Sequence, residues 1–107
     1  MPQDAKKVTV VMPTYNSANT IANAINSIIN QTYKNWEMVI IDDFSNDNTE
    51  DVVKSFKNDK ISYYKVDSHK GLVWCRNEGN RLSNSDIIAI QDADDLSLPD
   101  RLDKCVK

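Results

Sequence analysis

The strongest constraint on the fold of this chain is a regular alternation between two kinds of apolar pattern along its 107 residues. Val8, Val10, Val11 and Met12 form a short β-branched run ended by Pro13, which by length and composition predicts a strand. From residue 17 to 31 the apolar side chains Ile21, Ala22, Ala24, Ile25, Ile28 and Ile29 recur at helical spacing, with Ser and Asn ahead of them as capping candidates. Trp36 and the run 38–41 predict a second strand, cut off by Asp42 and Asp43. Asp47 followed three residues later by Glu50 resembles a capping box and opens a second helix with Val52, Val53 and Phe56 on its inner side. Ile61, Tyr63 and Val66 predict a third strand, and its polar neighbours Ser62, Tyr64 and Lys65 suit a sheet edge. A helix is expected over 72–82, weakened at Gly79 by about 1 kcal/mol relative to Ala. Residues 87–90 predict a fourth, buried strand, and Ser97 is expected to cap a last helix with Leu102 and Val106 facing inward.

The sum is β-α-β-α-β-α-β-α with near-continuous apolar strands, the pattern of an α/β domain whose parallel sheet is covered by helices. Right-handed crossovers bring all strand C-terminal ends to one rim, where ligands bind in such sheets. Composition supports one ordinary globular domain, with 40% hydrophobic and 27% charged residues. A net charge of -3 without a basic block argues against nucleic acid as a partner. Cys75 and Cys105 form no Cys-x-x-Cys pair, and the single histidine lacks zinc spacing, so the expectation is two buried or idle thiols. The first seven residues, MPQDAKK, precede no apolar run long enough for a signal peptide, and no stretch approaches a membrane span. A cytoplasmic chain is expected, with the inner face of the membrane as its alternative placement.

Three expected strand ends deliver unusual residues to the rim: Pro13, Thr14, Tyr15 and Asn16 after the first, Asp42 and Asp43 after the second, and Asp92, Asp94 and Asp95 after the fourth. Single acids in loops are commonly helix caps or solvated turns. Five in two tight groups repel one another, and a divalent cation relieves that repulsion while accepting oxygen ligands. Asp-x-Asp suits Mg²⁺ or Mn²⁺ bound together with substrate phosphates.

The chain resembles the inverting nucleotide-sugar glycosyltransferases of the GT-A fold, specifically family 2. The resemblance rests on residues 8–16 (VTVVMPTYN), 30–33 (NQTY), 36–49 (WEMVIIDDFSNDNT), 71–79 (GLVWCRNEG) and 92–99 (DADDLSLP), which occur in the family's order and spacing. Each motif is weak alone; together they cover essentially the whole chain. The fold implied is a GT-A, Rossmann-like parallel sheet, incomplete at the C-terminus. The chain is then the N-terminal donor-binding part, residues 1–107, with the acceptor-binding part absent.

By this resemblance Pro13, Thr14, Tyr15, Asp42, Asp43, Arg76, Asp92 and Asp94 contact the nucleotide sugar, and Asp94 and Asp95 hold the metal. Tyr15 matches a tyrosine that stacks on the base, with a surface or packing tyrosine as the alternative. Asp43 matches the acid that accepts the base N–H, which suits uracil; Asp42 either orients Asp43 and its loop or caps the strand end. Asp92, Asp94 and Asp95 match the region that binds ribose and the Mn²⁺ or Mg²⁺ bridging the diphosphate, Asp94 ahead of Asp95 as direct ligand. Arg76 faces the nucleotide or is an exposed helix arginine, and His69 and Lys70 are expected as solvated loop residues.

The activity implied is inverting transfer from a nucleoside-diphosphate sugar, a UDP-sugar by preference, to an acceptor hydroxyl in bacterial polysaccharide or cell-surface glycan synthesis. The acceptor is a glycan, a lipid-linked sugar or a protein. The family's catalytic base is expected beyond Lys107, so no acid here is assigned to it and the chain alone is expected to be inactive. Two other classes are the alternatives: a non-catalytic nucleotide-binding module, and a receiver-like signalling domain, whose acids follow its first and third strands rather than the second and fourth. An unpaired sheet edge also leaves room for a homodimer.

Overall fold

The computed structural model describes residues 6–106; the N-terminal residues 1–5 and Lys107, on which the leader and chain-end expectations rest, lie outside them. The element order is β1 (Val8–Thr14), α1 (Ile21–Ile29), β2 (Trp36–Asp42), α2 (Thr49–Lys54), β3 (Ile61–Lys65), α3 (Leu72–Leu82), β4 (Ile87–Ile90) and α4 (Arg101–Cys105). The four strands form one sheet in the order β3-β2-β1-β4, and all three pairings are parallel. Every strand therefore ends on the same rim, as the alternating pattern required.

Pleating divides the apolar side chains between two faces. Val8, Val10 and Met12 of β1 join Met38 and Ile40 of β2, Ile21, Ala24, Ile25 and Ile28 of α1, Val53 and Leu102 in the larger core. On the opposite face Val39 and Ile41 pack with Cys75 of α3, backed by Val66 and Leu82. Helix α3 approaches the sheet closely there: a Cβ on Gly79 would stand 2.3 Å from Cγ1 of Val11. The glycine that lowers helix propensity is what lets α3 rest on β1.

Several boundaries differ from expectation, each for a local reason. Strand β1 continues through Pro13, which pairs with Ile41. The Val11 carbonyl accepts Gln91 N–H at 3.0 Å, so alternation turns Pro13 toward the same neighbour, whose strand has ended at Ile90. The missing proline N–H has no ladder partner to lose. Helix α1 begins at Ile21, after a turn in which the Ser17 carbonyl accepts the N–H groups of Thr20 and Ile21 at 3.0 and 2.8 Å. Helix α2 begins at Thr49, beyond the expected capping box: Asp47 accepts the Thr49 N–H at 2.9 Å, and Glu50 reaches out to Lys54 at 2.7 Å. Ser97 does not cap α4, whose N-cap is Asp100. Strand β3 is an edge as expected, but β4 is an edge too among the described residues, with Ile88 exposed rather than buried. No described helix is long and apolar enough to cross a membrane.

The close approach of α3 makes a prediction opposite to helix propensity. Gly79→Ala should destabilise the fold by roughly 1–3 kcal/mol through overpacking against Val11, read as a lower urea midpoint. A gain of about 1 kcal/mol, the propensity difference, would contradict the packing described.

Candidate functional site

Three loops leave the rim, and each contains a left-handed backbone residue: Asn16 at φ 49°, Phe44 at φ 66° and Gly71 at φ 94°. A left-handed phenylalanine costs about 1–2 kcal/mol, so surrounding bonds must hold it. Those bonds are present. Asn16 N–H donates to Ser45 Oγ at 2.8 Å, Asn46 N–H returns to Asn16 Oδ1 at 2.9 Å, and Ser17 N–H donates to Thr49 Oγ1 at 2.9 Å. Asp47 joins the same lacing through Ala18 N–H at 3.2 Å. Burial works to raise its pKa, yet its bonds from Thr49 and Ala18 hold the carboxyl below the usual range.

Asp42 and Asp43 are both fully buried, and they point to different partners. Asp42 Oδ1 accepts the Ser45 N–H and hydroxyl at 2.9 and 2.6 Å, while Oδ2 accepts the hydroxyl of Tyr63 on β3. Burial, and then the Asp42 carboxylate, push the Tyr63 hydroxyl well above the ordinary tyrosine range. Both oxygens of Asp42 are thus engaged within the protein, the geometry of a loop-orienting residue. Asp43 turns toward the third loop: Oδ1 accepts Lys70 N–H at 2.7 Å, and Oδ2 accepts Gly71 N–H at 2.9 Å and lies 2.9 Å from His69 Nδ1. His69 also meets the Tyr15 ring edge-on, with centroids 4.9 Å apart and an interplanar angle of 61°. His69 and Lys70 are exposed loop residues, as expected; the structure adds that the His69 ring and the Lys70 backbone N–H also meet Asp43.

The fourth strand end is built differently. Asp95 N–H donates to the Asp92 carbonyl at 3.1 Å, closing a turn that presents three exposed acids. Oxygens of Asp92, Asp94 and Asp95 lie within 4.8 Å of one another. The turn is pinned from below by Gln91, whose Nε2 donates to the Asp95 carbonyl at 2.6 Å and whose Oε1 accepts from Arg101 at 2.9 Å and from the Ser97 hydroxyl. Gln31, at the end of α1 and fully buried, holds the following segment: Nε2 donates to the Leu98 carbonyl at 2.7 Å and Oε1 accepts Leu102 N–H at 2.9 Å. Neither glutamine stands out in the sequence by motif role, although Gln31 lies in the NQTY segment; for Gln31 the available signal is a polar side chain closing an apolar helical stripe.

Pro13, Thr14, Tyr15, Arg76, Asp92 and Asp94 line one cleft of about 510 Å³ between the first loop, α3 and the acidic turn. Asp95 lines the adjoining cavity of about 600 Å³, with Arg76 and Asp92 shared between them. Asp42 and Asp43 lie outside both linings. Two buried polar atoms of the cleft residues, Thr14 Oγ1 and Arg76 Nε, have no hydrogen-bond partner within the protein. Arg76 Nη2 stands 4.0 Å from Asp92 Oδ1, and its other surface remains open to the cleft. The donor set of the acidic turn, exposed carboxylates alone, fits a hard divalent cation that keeps waters and takes phosphate oxygens.

The sequence model for glycosyl transferase family 2 matches residues 9–107. The chain belongs to that family. It is 35% identical over 96 residues to the Escherichia coli UDP-Glc:alpha-D-GlcNAc-diphosphoundecaprenol beta-1,3-glucosyltransferase WfgD, covering 90% of this chain and 38% of WfgD. Among solved structures it is similar to TarS 1-349 from S. aureus in complex with UDP, with 26% identity, a TM-score of 0.87, and coverage of 92% of this chain and 30% of that one. It is also similar to the mannosyltransferase PcManGT of Pyrobaculum calidifontis in complex with GDP-Man and Mn²⁺, with 29% identity, a TM-score of 0.84, and coverage of 94% and 31%. The GT-A fold expected of the sequence is thereby established, and the receiver-like alternative falls. The chain spans less than two fifths of each of these relatives.

The two thiols should report the burial of the Asp43 region. Cys75 is buried, and desolvation followed by the nearby Asp43 carboxylate pushes its thiol up to about 12, whereas Cys105 is exposed. At neutral pH an alkylating reagent should therefore modify Cys105 alone and reach Cys75 only on unfolding. Equal labelling of both in the native protein would contradict the packing of α3.

Proposed function

We propose that this chain is the donor-binding domain, residues 1–107, of a glycosyltransferase that uses a nucleoside-diphosphate sugar, a UDP-sugar by preference, together with Mn²⁺ or Mg²⁺. The observation that carries this reading is the cleft that gathers Pro13, Thr14, Tyr15 and Arg76 beside Asp92 and Asp94. Such a cleft suits a ligand with one polar end for Arg76 and hydroxyls for a carboxylate, as a nucleotide diphosphate has. Complexes of TarS with UDP and with UDP-GlcNAc, and of PcManGT with GDP-Man and Mn²⁺, support it from related chains.

In this reading Tyr15 stacks on the base, Asp43 accepts the base N–H, and Pro13 and Thr14 form the cleft floor beneath the ribose. Asp92 takes ribose hydroxyls. Arg76 lies toward the diphosphate, Asp94 and Asp95 hold the metal, and Asp42 acts as a positioning residue through Ser45 and Tyr63. The bound cation supplies Lewis-acid stabilisation of charge on the departing diphosphate. The chain's own contribution is to orient the donor, with Gln91 and Gln31 fixing the acidic turn so that its carboxylates converge before any ligand arrives.

The whole protein then transfers the sugar with inversion to an acceptor hydroxyl in cell-surface glycan synthesis, with a base and acceptor site supplied outside these residues. The sequence similarity to WfgD, whose name specifies a diphosphoundecaprenol-linked acceptor, favours a lipid-linked acceptor over a free glycan or protein and a site of action at the cytoplasmic face of the membrane.

Calorimetry tests the binding claim. UDP should bind in the presence of Mn²⁺, lose at least tenfold in affinity when Mn²⁺ is replaced by a chelator, and show no metal dependence in Asp94→Ala. Metal-independent binding of equal strength in both proteins would remove the acidic turn from the site, and failure of every nucleoside diphosphate to bind would end the reading.

A further inference from the structure

If Asp43 and Tyr15 form the base subsite, that subsite already has an occupant. Asp43 has no exposed surface. Its carboxylate meets two backbone amides, Lys70 N–H at 2.7 Å and Gly71 N–H at 2.9 Å, the buried Cys75 thiol, and the exposed side chain of His69, with Nδ1 at 2.9 Å from Oδ2. The amides are fixed by the loop backbone, with Gly71 in a left-handed conformation at φ 94°. The imidazole is the partner that can leave by side-chain rotation, since His69 remains 60% exposed. Its ring also lies edge-on against Tyr15 at 4.9 Å between centroids. A carboxylate is an acceptor, so Nδ1 carries the hydrogen in this contact.

A flat aromatic ring that directs an N–H at Asp43 while touching Tyr15 has the chemistry of the imide edge of a nucleobase. We propose that His69 is an intramolecular stand-in for the base, held between Asp43 and Tyr15 in the free protein and displaced from both when the nucleotide enters. The proposal rests on the assignment of Asp43 and Tyr15 to the base. The two amides keep Asp43 in place throughout the exchange, while one acceptor position on Oδ2 passes from imidazole to base. His69 thereby sets both affinity and selectivity: a ligand must replace its N–H and its aromatic contact, which a base with a ring N–H does and a bare ribose phosphate does not.

Competition of this kind lowers the apparent affinity by the fraction of molecules that hold the subsite open. His69→Ala should therefore bind UDP about three- to tenfold more tightly than the natural chain, with ribose 5-phosphate binding equally to both. The natural chain provides a readout that needs no variant, because it contains a single histidine. In long-range ¹H–¹⁵N spectra of the imidazole, UDP should move the Nδ1 resonance, and ribose 5-phosphate should leave it in place. UDP binding with an unmoved imidazole, or with equal or weaker affinity in His69→Ala, would overturn the stand-in while leaving the nucleotide site intact. Absence of UDP and GDP binding to either protein would overturn both.

Discussion

The buried carboxylate of Asp43 is the constraint on which the rim depends. Its N–H donates to the Thr14 carbonyl at 2.8 Å, continuing the pairing of β1 and β2 one residue past the strands, while its side chain binds the amides that lead into α3. One residue thus ties the first, second and third loops together. A charge taken out of water is tolerated when its oxygens accept hydrogen bonds, and two backbone amides supply them here. Asp42 does the complementary work inside the second loop, since its bonds to Ser45 and Tyr63 hold the backbone that turns left-handed at Phe44.

The acidic turn, which lines the cleft, has the opposite character. Its carboxylates are exposed, and what is buried is the neutral scaffold of Gln91 and Gln31 beneath them. That division suits a site that receives a cation: the charges stay hydrated until it arrives, and the backbone that presents them is already ordered. Arg76 lines the same cleft from α3, so a helix whose inner face is seated on β1 by Gly79 also presents its guanidinium there.

Much of this was legible from periodicity. Apolar runs and helical spacing located all eight elements, and helix 72–82 matches its expected bounds. The misses came where side chains bond out of sequence order. Asp47 and Glu50 have capping-box spacing, but Asp47 is also engaged by Ala18 from the preceding loop, and Ser97 is drawn from the α4 cap by Gln91 and Arg101. Strand β4 reads as buried because isoleucine is apolar, yet position in a sheet depends on what lies beside it. Of the site, motif resemblance brought Pro13, Thr14, Tyr15, Arg76, Asp92 and Asp94 to notice, and they share a cleft. It could not show that Asp42 is saturated by its own protein, or that His69 stands between Tyr15 and Asp43, because both depend on the path of a loop.

The central claim, that the acidic turn and the Tyr15–Asp43 region receive the two ends of one nucleotide, is tested most directly by paramagnetic broadening of backbone amides. Trace Mn²⁺ with UDP should broaden residues 92–96 most strongly, while diamagnetic Mg²⁺ with UDP should shift amides of 14–16, 43–45 and 69–71 without broadening them. Broadening centred elsewhere, or nucleotide shifts confined to surfaces away from these loops, would contradict the account.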